Sequence, residues 1–257
     1  RIAYGDRKKL REQAGREAVA MQKVREVTNG VPKLLDHWDD SRRRCYYLVM
    51  EHLPGTTLKE WMQRNPAEDL SPGEVVFRLV ILREICRILD QINRKYPIIV
   101  HKDIKPENVM MYRKDKRTEF RLIDFGIAYT SFVKGIGTAG YQAPEQSNRG
   151  RDGSVRITCA TDIFAVGQIG YELLSGTLPM PAVAYAMDPA DKSWRIRPQL
   201  HIASHEPYPD AARIEELLQG MTEYLPEKRI GYHEILPQLN FLIARGKPRS
   251  GGDHSKE

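Results

Sequence analysis

The stretch His101-Lys102-Asp103-Ile104-Lys105-Pro106-Glu107-Asn108, with Asp124-Phe125-Gly126 a short way downstream, decides how this chain is read. It sets the carboxylates of Asp103 and Asp124, an ammonium and a carboxamide on neighbouring loops. Moving a phosphoryl group from a metal-bound nucleotide needs such a set. An acidic residue orients the attacking hydroxyl, oxygen ligands hold Mg²⁺, and a cation offsets charge on the group in flight. Asp103 is the candidate base, because a serine or threonine hydroxyl is a poor nucleophile until a positioned carboxylate orients it and accepts its proton. The plainer alternative is a loop aspartate capping a turn. Asn108 offers a neutral oxygen and Asp124 a charged one, and both suit a hard cation.

Working outward, Val109–Tyr112 and Phe120–Ile123 are expected to pair as a hairpin, and Ile98–Val100 to form a short buried strand, so the loop hangs between rigid flanks. Upstream, Ser71-Pro72-x-Glu74 is a helix start with Ser as cap, Pro in the first turn and Glu three residues on. Val76, Leu79, Val80, Ile85, Ile88, Leu89 and Ile92 then recur at helical spacing, the mark of an amphipathic helix on a core. Leu53-Pro54-Gly55 reads as a hinge, followed by a short helix over Leu58–Gln63. Before it come a helix over Arg7–Val27, stopped by Asn29-Gly30, and two strand-like runs, Leu34–Trp38 and Cys45–Glu51, joined by the polar turn Asp39–Arg44. Asp162–Leu174 reads as a buried apolar helix, and Ala211–Tyr224 and Tyr232–Ile243 as two more. Thr177–Asp210 is rich in Pro, Ala and His and has no clear period.

The 257 residues are 41% hydrophobic and 29% charged, ordinary for a globular chain able to bury a sizeable core. The net charge of +6 is a modest basic excess. Its runs, Arg42-Arg43-Arg44 and Arg113-Lys114-Asp115-Lys116-Arg117, sit between strand-like segments and read as solvated turns rather than as docking sites for an acidic partner or a membrane. No nucleic-acid partner is expected. Three widely spaced cysteines, Cys45, Cys86 and Cys159, form no C-x-x-C, which argues against a disulfide scaffold or a zinc site and fits a reducing, cytoplasmic setting. No apolar run approaches the ~20 residues that cross a bilayer, and no leader pattern opens the chain.

The opening stretch resembles the catalytic loop H-R-D-x-K-x-x-N and the metal-binding D-F-G of eukaryotic-type (Hanks-type) serine/threonine protein kinases. Further residues carry the resemblance in the right order. Gly137-Thr138, Tyr141 and Ala143-Pro144-Glu145 resemble the end of an activation segment. Thr161-Asp162-Ile163-Phe164-Ala165-Val166-Gly167 resembles S-D-x-[WY]-S-x-G, and Pro226-Glu227-Lys228-Arg229 resembles P-x-x-R. The likeness runs from about Arg11 to Phe241. Gln146 after A-P-E, with Tyr47-Leu48-Val49-Met50-Glu51, is similar to bacterial members.

That resemblance implies an α+β, bilobal, protein-kinase-like fold. Residues 1–52 would be a truncated N-lobe of helix plus hairpin, 53–244 a complete, mainly helical C-lobe and 245–257 a disordered tail. It implies transfer of the γ-phosphoryl of ATP, with Mg²⁺, to serine or threonine hydroxyls of a protein substrate. Lys105 would contact the γ-phosphate, and lysine at that place is the serine/threonine pattern. Glu17 would pair with the ATP-holding lysine, Met50 be the gatekeeper, and Glu51 and Leu53 offer backbone groups to adenine. Met21, Leu34, His101 and Phe125 would stack as a spine anchored by Asp162, which makes His101 a packing residue rather than a proton carrier. Thr138 would bond Asp103 and Lys105, and Glu145 and Arg229 would form a buried ion pair. A surface glutamate is the plain alternative for Glu17.

Three departures qualify the resemblance. The Gly-rich loop and V-A-I-K strand would lie ahead of Arg1, because Lys8 and Lys9 are too close to Glu17 to serve. Gly135-x-Gly137-x-x-Gly140 matches G-x-G-x-x-G by letters only, since it follows D-F-G and opens no helix after a strand. Lys102 stands where arginine is usual, supplying charge without the bidentate fork. The segment Gly126–Gly137 is also short, with Thr130 and Ser131 as its candidate phosphosites. Two rival classes remain open. One is a kinase-like binding module without turnover, against which the intact Asp103, Lys105, Asn108 and Asp124 stand. The other is a small-molecule phosphotransferase, against which the A-P-E segment stands.

Overall fold

The structure is a computed structural model that describes residues 4–40, 42–43, 45–97, 99–125, 137–147, 157–179, 198–202 and 208–246. Its architecture is α+β. Helix α1 (Tyr4–Arg25) packs on the antiparallel pair β1 (Leu34–Asp40) and β2 (Cys45–Met50). A three-stranded sheet follows in the order β3 (Thr56–Thr57), β4 (Val109–Lys114), β5 (Arg117–Leu122). The helical body holds α2 (Leu58–Arg64), α3 (Pro72–Lys95), α4 (Pro144–Ser147), α5 (Cys159–Ser175), α6 (Ala211–Met221) and α7 (Tyr232–Arg245).

Helix α3 begins where its sequence asks. Ser71 precedes Pro72, and the Glu74 carboxylate accepts from the Ser71 N–H at 3.0 Å and its hydroxyl at 2.7 Å. One face of α3 buries Val75, Leu79, Leu82, Ile85, Ile88, Leu89 and Ile92 against α5 and α7. Each fully buried side chain of this kind contributes about 1.5–3 kcal/mol. Helix α5 is capped by the Thr158 hydroxyl and ended by Gly176 in the left-handed region. From Thr161 to Tyr171 every residue of α5 is buried, so it is the central post of the helical body.

Local expectations change in three places. Ile99 and Val100 are buried, as a core strand would be, yet they form no strand; Ile98 lies outside the described residues. The Ile99 N–H turns back to the Tyr96 carbonyl, and the N–H groups of His101 and Lys102, just past Val100, go to the Asp162 carboxylate. A turn and a side chain take these three donors, which leaves little of the segment's backbone for a ladder. Conversely, the Leu53–Gly55 break leads straight into β3, which pairs Thr56 with Met111 and Thr57 with Met110. Gly55 permits this, because a Cβ there would lie 2.0 Å from the Met111 carbonyl oxygen. Helix α1 also stops at Arg25, ahead of the expected Val27; the next two N–H groups bond three residues back in a turn.

Candidate active site

The strand pair β4–β5 and α5 fix the loop that carries Asp103. Asn108 closes a short 3₁₀ turn (Pro106–Asn108), and its carbonyl accepts from the Ile123 N–H at 3.0 Å. That bond sets Asp124, the next residue, beside the loop. From below, the buried Asp162 of α5 accepts the His101 and Lys102 N–H groups at 2.8 Å each. Burial pushes the Asp162 carboxyl above the ordinary carboxylate range, against the pull of His101 and those N–H groups.

Asp103, Lys105, Thr138 and Asn108 come together. Lys105 Nζ lies 2.8 Å from Asp103 Oδ2 and donates to Thr138 Oγ1 at 2.8 Å. Thr138 in turn donates to Asp103 Oδ1 at 2.8 Å. Asn108 Nδ2 donates to the Asp103 carbonyl at 2.9 Å and, more weakly, to Oδ2 at 3.3 Å. With Nδ2 so engaged, Asn108 Oδ1 is the oxygen left for a ligand. Burial raises the Asp103 carboxyl, but the bonds from Lys105 and Thr138 outweigh it and hold the group below its ordinary range.

Phe125 is buried, and its ring packs tilted against that of His101, with centroids 4.6 Å apart and planes at 56°. His101 Nε2 faces the Ile123 carbonyl at 3.1 Å, so that nitrogen carries the proton, and the buried Nδ1 has no partner among the described residues. Met21 is buried, and Leu34 packs on the core cluster that holds Met21 and Phe125. Asp124 is exposed, with φ of 65°. Partial burial, joined by the Asp124 charge, raises the carboxyl of Glu17 on α1 from 4.5 to about 7. Among the described residues no cation pairs with Glu17.

At the other edge, Met50 is 40% exposed. The Glu51 N–H bonds the Lys33 carbonyl at 2.9 Å, and its carboxylate takes the Lys33 N–H at 2.8 Å. The Glu51 carbonyl and the Leu53 N–H have no protein partner among the described residues, so both are open to a planar ligand with a donor and an acceptor.

Glu145 and Arg229 meet as a buried, bidentate pair at 2.6 and 2.8 Å. Thr130 and Ser131 lie outside the described residues, as does part of the Gly135–Gly140 run. Sequence reasoning passed over Gln168 and Glu172 on α5. Gln168 donates to the Gly140 carbonyl at 2.8 Å, while Glu172 accepts from the Tyr141 hydroxyl and, at 2.9 Å, from Lys59. A signal was available: two polar residues one turn apart inside an otherwise apolar helix.

Comparison with known proteins agrees with this fold. The family model for the protein kinase domain matches residues 2–241. The serine/threonine-protein kinase Pkn1 of Myxococcus xanthus is 32% identical over 80% of this chain and 30% of its own length. The serine/threonine-protein kinase PrkC of Bacillus subtilis is 33% identical over 58% of this chain and 23% of its own. The chain thus spans less than a third of the length of these relatives.

Proposed function

Because the chain belongs to the protein kinase domain family, we propose that it is the catalytic part of a serine/threonine protein kinase, transferring the γ-phosphoryl of ATP to protein hydroxyls. The observation that carries the reading is the Asp103–Lys105–Thr138 triangle. Held below the ordinary carboxylate range, Asp103 stays ionised at neutral pH and is a weak base. Its work is therefore to aim the acceptor hydroxyl and take its proton late, which suits a loose transition state with little bond formation to the nucleophile. Lys105 neutralises charge on the transferring group.

Asn108 Oδ1 and the Asp124 carboxylate are hard oxygen donors and fit Mg²⁺. Among the described residues there is no group of three or more acidic, His or Cys ligands, in keeping with a cation that takes its remaining ligands from phosphate and water. When bound, the cation offsets phosphate charge. The Glu51 carbonyl and Leu53 N–H would take the adenine edge beneath Met50, at the hinge between residues 1–52 and 53–244. Phe125 and His101 would hold Asp124 in place from the spine side, and Glu145 with Arg229 would fix the register of the segment that carries Thr138. The free cysteines support a reducing, cytoplasmic setting, and no described helix is long and apolar enough to cross a membrane.

One observation favours a second reading. Glu17, the expected partner of the nucleotide-holding lysine, has no cation among the described residues. A kinase-like module that binds without turnover would tolerate that. A labelled-ATP transfer assay with mixed serine and threonine peptides separates the two, run on this chain, on a version extended upstream, and on Asp103→Asn in each. The catalytic reading expects transfer that Asp103→Asn lowers by more than about 100-fold. Equal transfer by Asp103→Asn would sink the assignment, and no transfer by either length would leave the binding module.

A further inference from the structure

Gln146 sits on α4, directly after Ala143-Pro144-Glu145, and is 7% exposed. Its carboxamide works at both ends. Oε1 accepts from the Ala143 N–H at 2.9 Å, which caps the short helix, and Nε2 donates to the Lys102 carbonyl at 2.9 Å. Lys102 has φ of 69°, a left-handed conformation that a non-glycine residue keeps only when its surroundings over-determine it. Its N–H is held by Asp162, and its carbonyl belongs to the peptide plane that leads into Asp103. Rotation of that plane would swing the Asp103 carboxylate. Gly137 closes over the same bond. At φ of 126°, a Cβ on it would lie 3.1 Å from Gln146 Nε2 and 3.3 Å from the Lys102 oxygen.

We propose that Gln146 is a positioning residue for Asp103: its carboxamide pins the Lys102–Asp103 peptide plane and so joins α4 to the catalytic loop by an uncharged clamp that needs no phosphate group. This rests on the kinase reading for its effect on rate, though not for its effect on the loop. The consequence for regulation follows from the chemistry. The clamp acts on a backbone carbonyl, so the Lys102 side chain has no part in it, and phosphorylation of the segment is not required to hold this link.

The test compares the wild-type chain, Gln146→Leu and Gln146→Glu by hydrogen exchange and by steady-state transfer on the longest active version. In Gln146→Leu the amides of residues 102–105 should exchange about tenfold faster, while α3 and α5 stay protected. At the same time kcat should fall about tenfold or more, with KM for ATP and peptide within about twofold, as a misaimed but still assembled site requires. Gln146→Glu keeps the acceptor for Ala143 and can donate to Lys102 only when protonated. Its rate relative to wild type should therefore recover as pH falls. Unchanged exchange at 102–105, or loosening of all segments together with a parallel loss of rate and Tm, would overturn the proposal. If the wild type itself shows no transfer, the kinase reading fails and the exchange result still decides the role of Gln146.

Discussion

Removing the Glu145 carboxylate should destabilise this chain more than any surface change, and the size can be worked from its partners. Arg229 spends all five of its N–H groups. Nε goes to the Glu223 carbonyl at 2.7 Å, Nη1 to Glu145 and the Ala160 carbonyl at 2.6 and 2.9 Å, and Nη2 to Glu145 and the Tyr224 carbonyl at 2.8 and 3.0 Å. The guanidinium also lies 4.9 Å from the Phe164 ring centroid, and its side chain is fully buried. Glu145→Ala strips two of those bonds, leaves a buried cation without its counter-charge, and orphans the Thr161 hydroxyl, which donates to Glu145 at 2.9 Å. The three carbonyls still hold the arginine, which places the loss near the lower end of the range for a broken buried pair, about 3 kcal/mol. Arg229→Met orphans the carboxylate and three carbonyls together, about 5 kcal/mol. The double variant removes both charges and should cost less than the sum of the singles by about 3 kcal/mol. Urea unfolding followed by tryptophan fluorescence and circular dichroism measures all four corners. At roughly 2–4 °C per kcal/mol for a chain of this size, Glu145→Ala should also melt about 6–12 °C lower. A loss under about 1 kcal/mol in Glu145→Ala, or strict additivity in the double variant, would refute the reasoning.

Other outcomes follow from single contacts. Glu17 titrates near 7 in the folded chain against 4.5 ordinarily. Its share of stability is therefore present below about 4.5 and lost as pH rises through 7. Because the group is partly solvated, the difference should be roughly 1–2 kcal/mol, and Glu17→Gln should match wild type at pH 5 and be more stable at pH 8 in parallel urea titrations. Thr138→Val keeps shape but removes a hydrogen bond that lowers the Asp103 carboxyl. Peptide-transfer rates should fall about tenfold, roughly 1.4 kcal/mol of barrier, with the acid limb of the kcat profile displaced to higher pH, while Thr138→Ser retains most of the rate. Gly55→Ala forces a Cβ to within 2.0 Å of the Met111 oxygen. It should cost about 2 kcal/mol by thermal melting and loosen exchange in β3 and β4 while α3 and α7 stay protected.

Periodicity made the long helices legible. Helix α3 has a polar cap, a proline at its start and apolar residues at helical spacing, and each of these is a local signal. Helix α5 was legible because it is apolar along nearly its whole length. The cluster of Asp103, Lys105 and Asn108 was legible because its polar groups fall in one short run. What escaped has a physical reason. Ile99 and Val100 carry strand-like side chains, but their neighbours' N–H groups are taken by a carboxylate sixty residues away in α5, and no local pattern encodes that. Strand β3 is two residues long and is selected by the close approach of Gly55 to β4. Gln146 was visible only as a letter after A-P-E, because a carboxamide that bridges two backbone groups leaves no periodic trace.

Helix α5 explains why the loop of Asp103 and the turn of Thr138 keep a common frame. Four of its polar side chains leave an otherwise apolar surface, and each engages one of these two neighbours. Asp162 takes the backbone ahead of Asp103. Thr161 supports Glu145, Gln168 holds the Gly140 carbonyl, and Glu172 holds the Tyr141 hydroxyl. The helix that carries them is buried along its length and close-packed on α3 and α6, so it cannot shift without opening the core. Contacts made from such a body are fixed relative to one another, which is what a site set to a few tenths of an ångström requires. Thr138 is then delivered to Asp103 and Lys105 by a turn with both ends tied: its carbonyl accepts from the Tyr141 and Gln142 N–H groups at 3.1 Å each, and Tyr141 is itself anchored on Glu172. A change at Glu172 should therefore be felt at Asp103 through Tyr141 and Thr138 without either loop unfolding. Glu172→Gln, which keeps the shape and loses the charge that Lys59 balances, should lower kcat while leaving the exchange of α5 amides unchanged. A loss of α5 protection in that variant would mean that the helix is not the rigid member of the set.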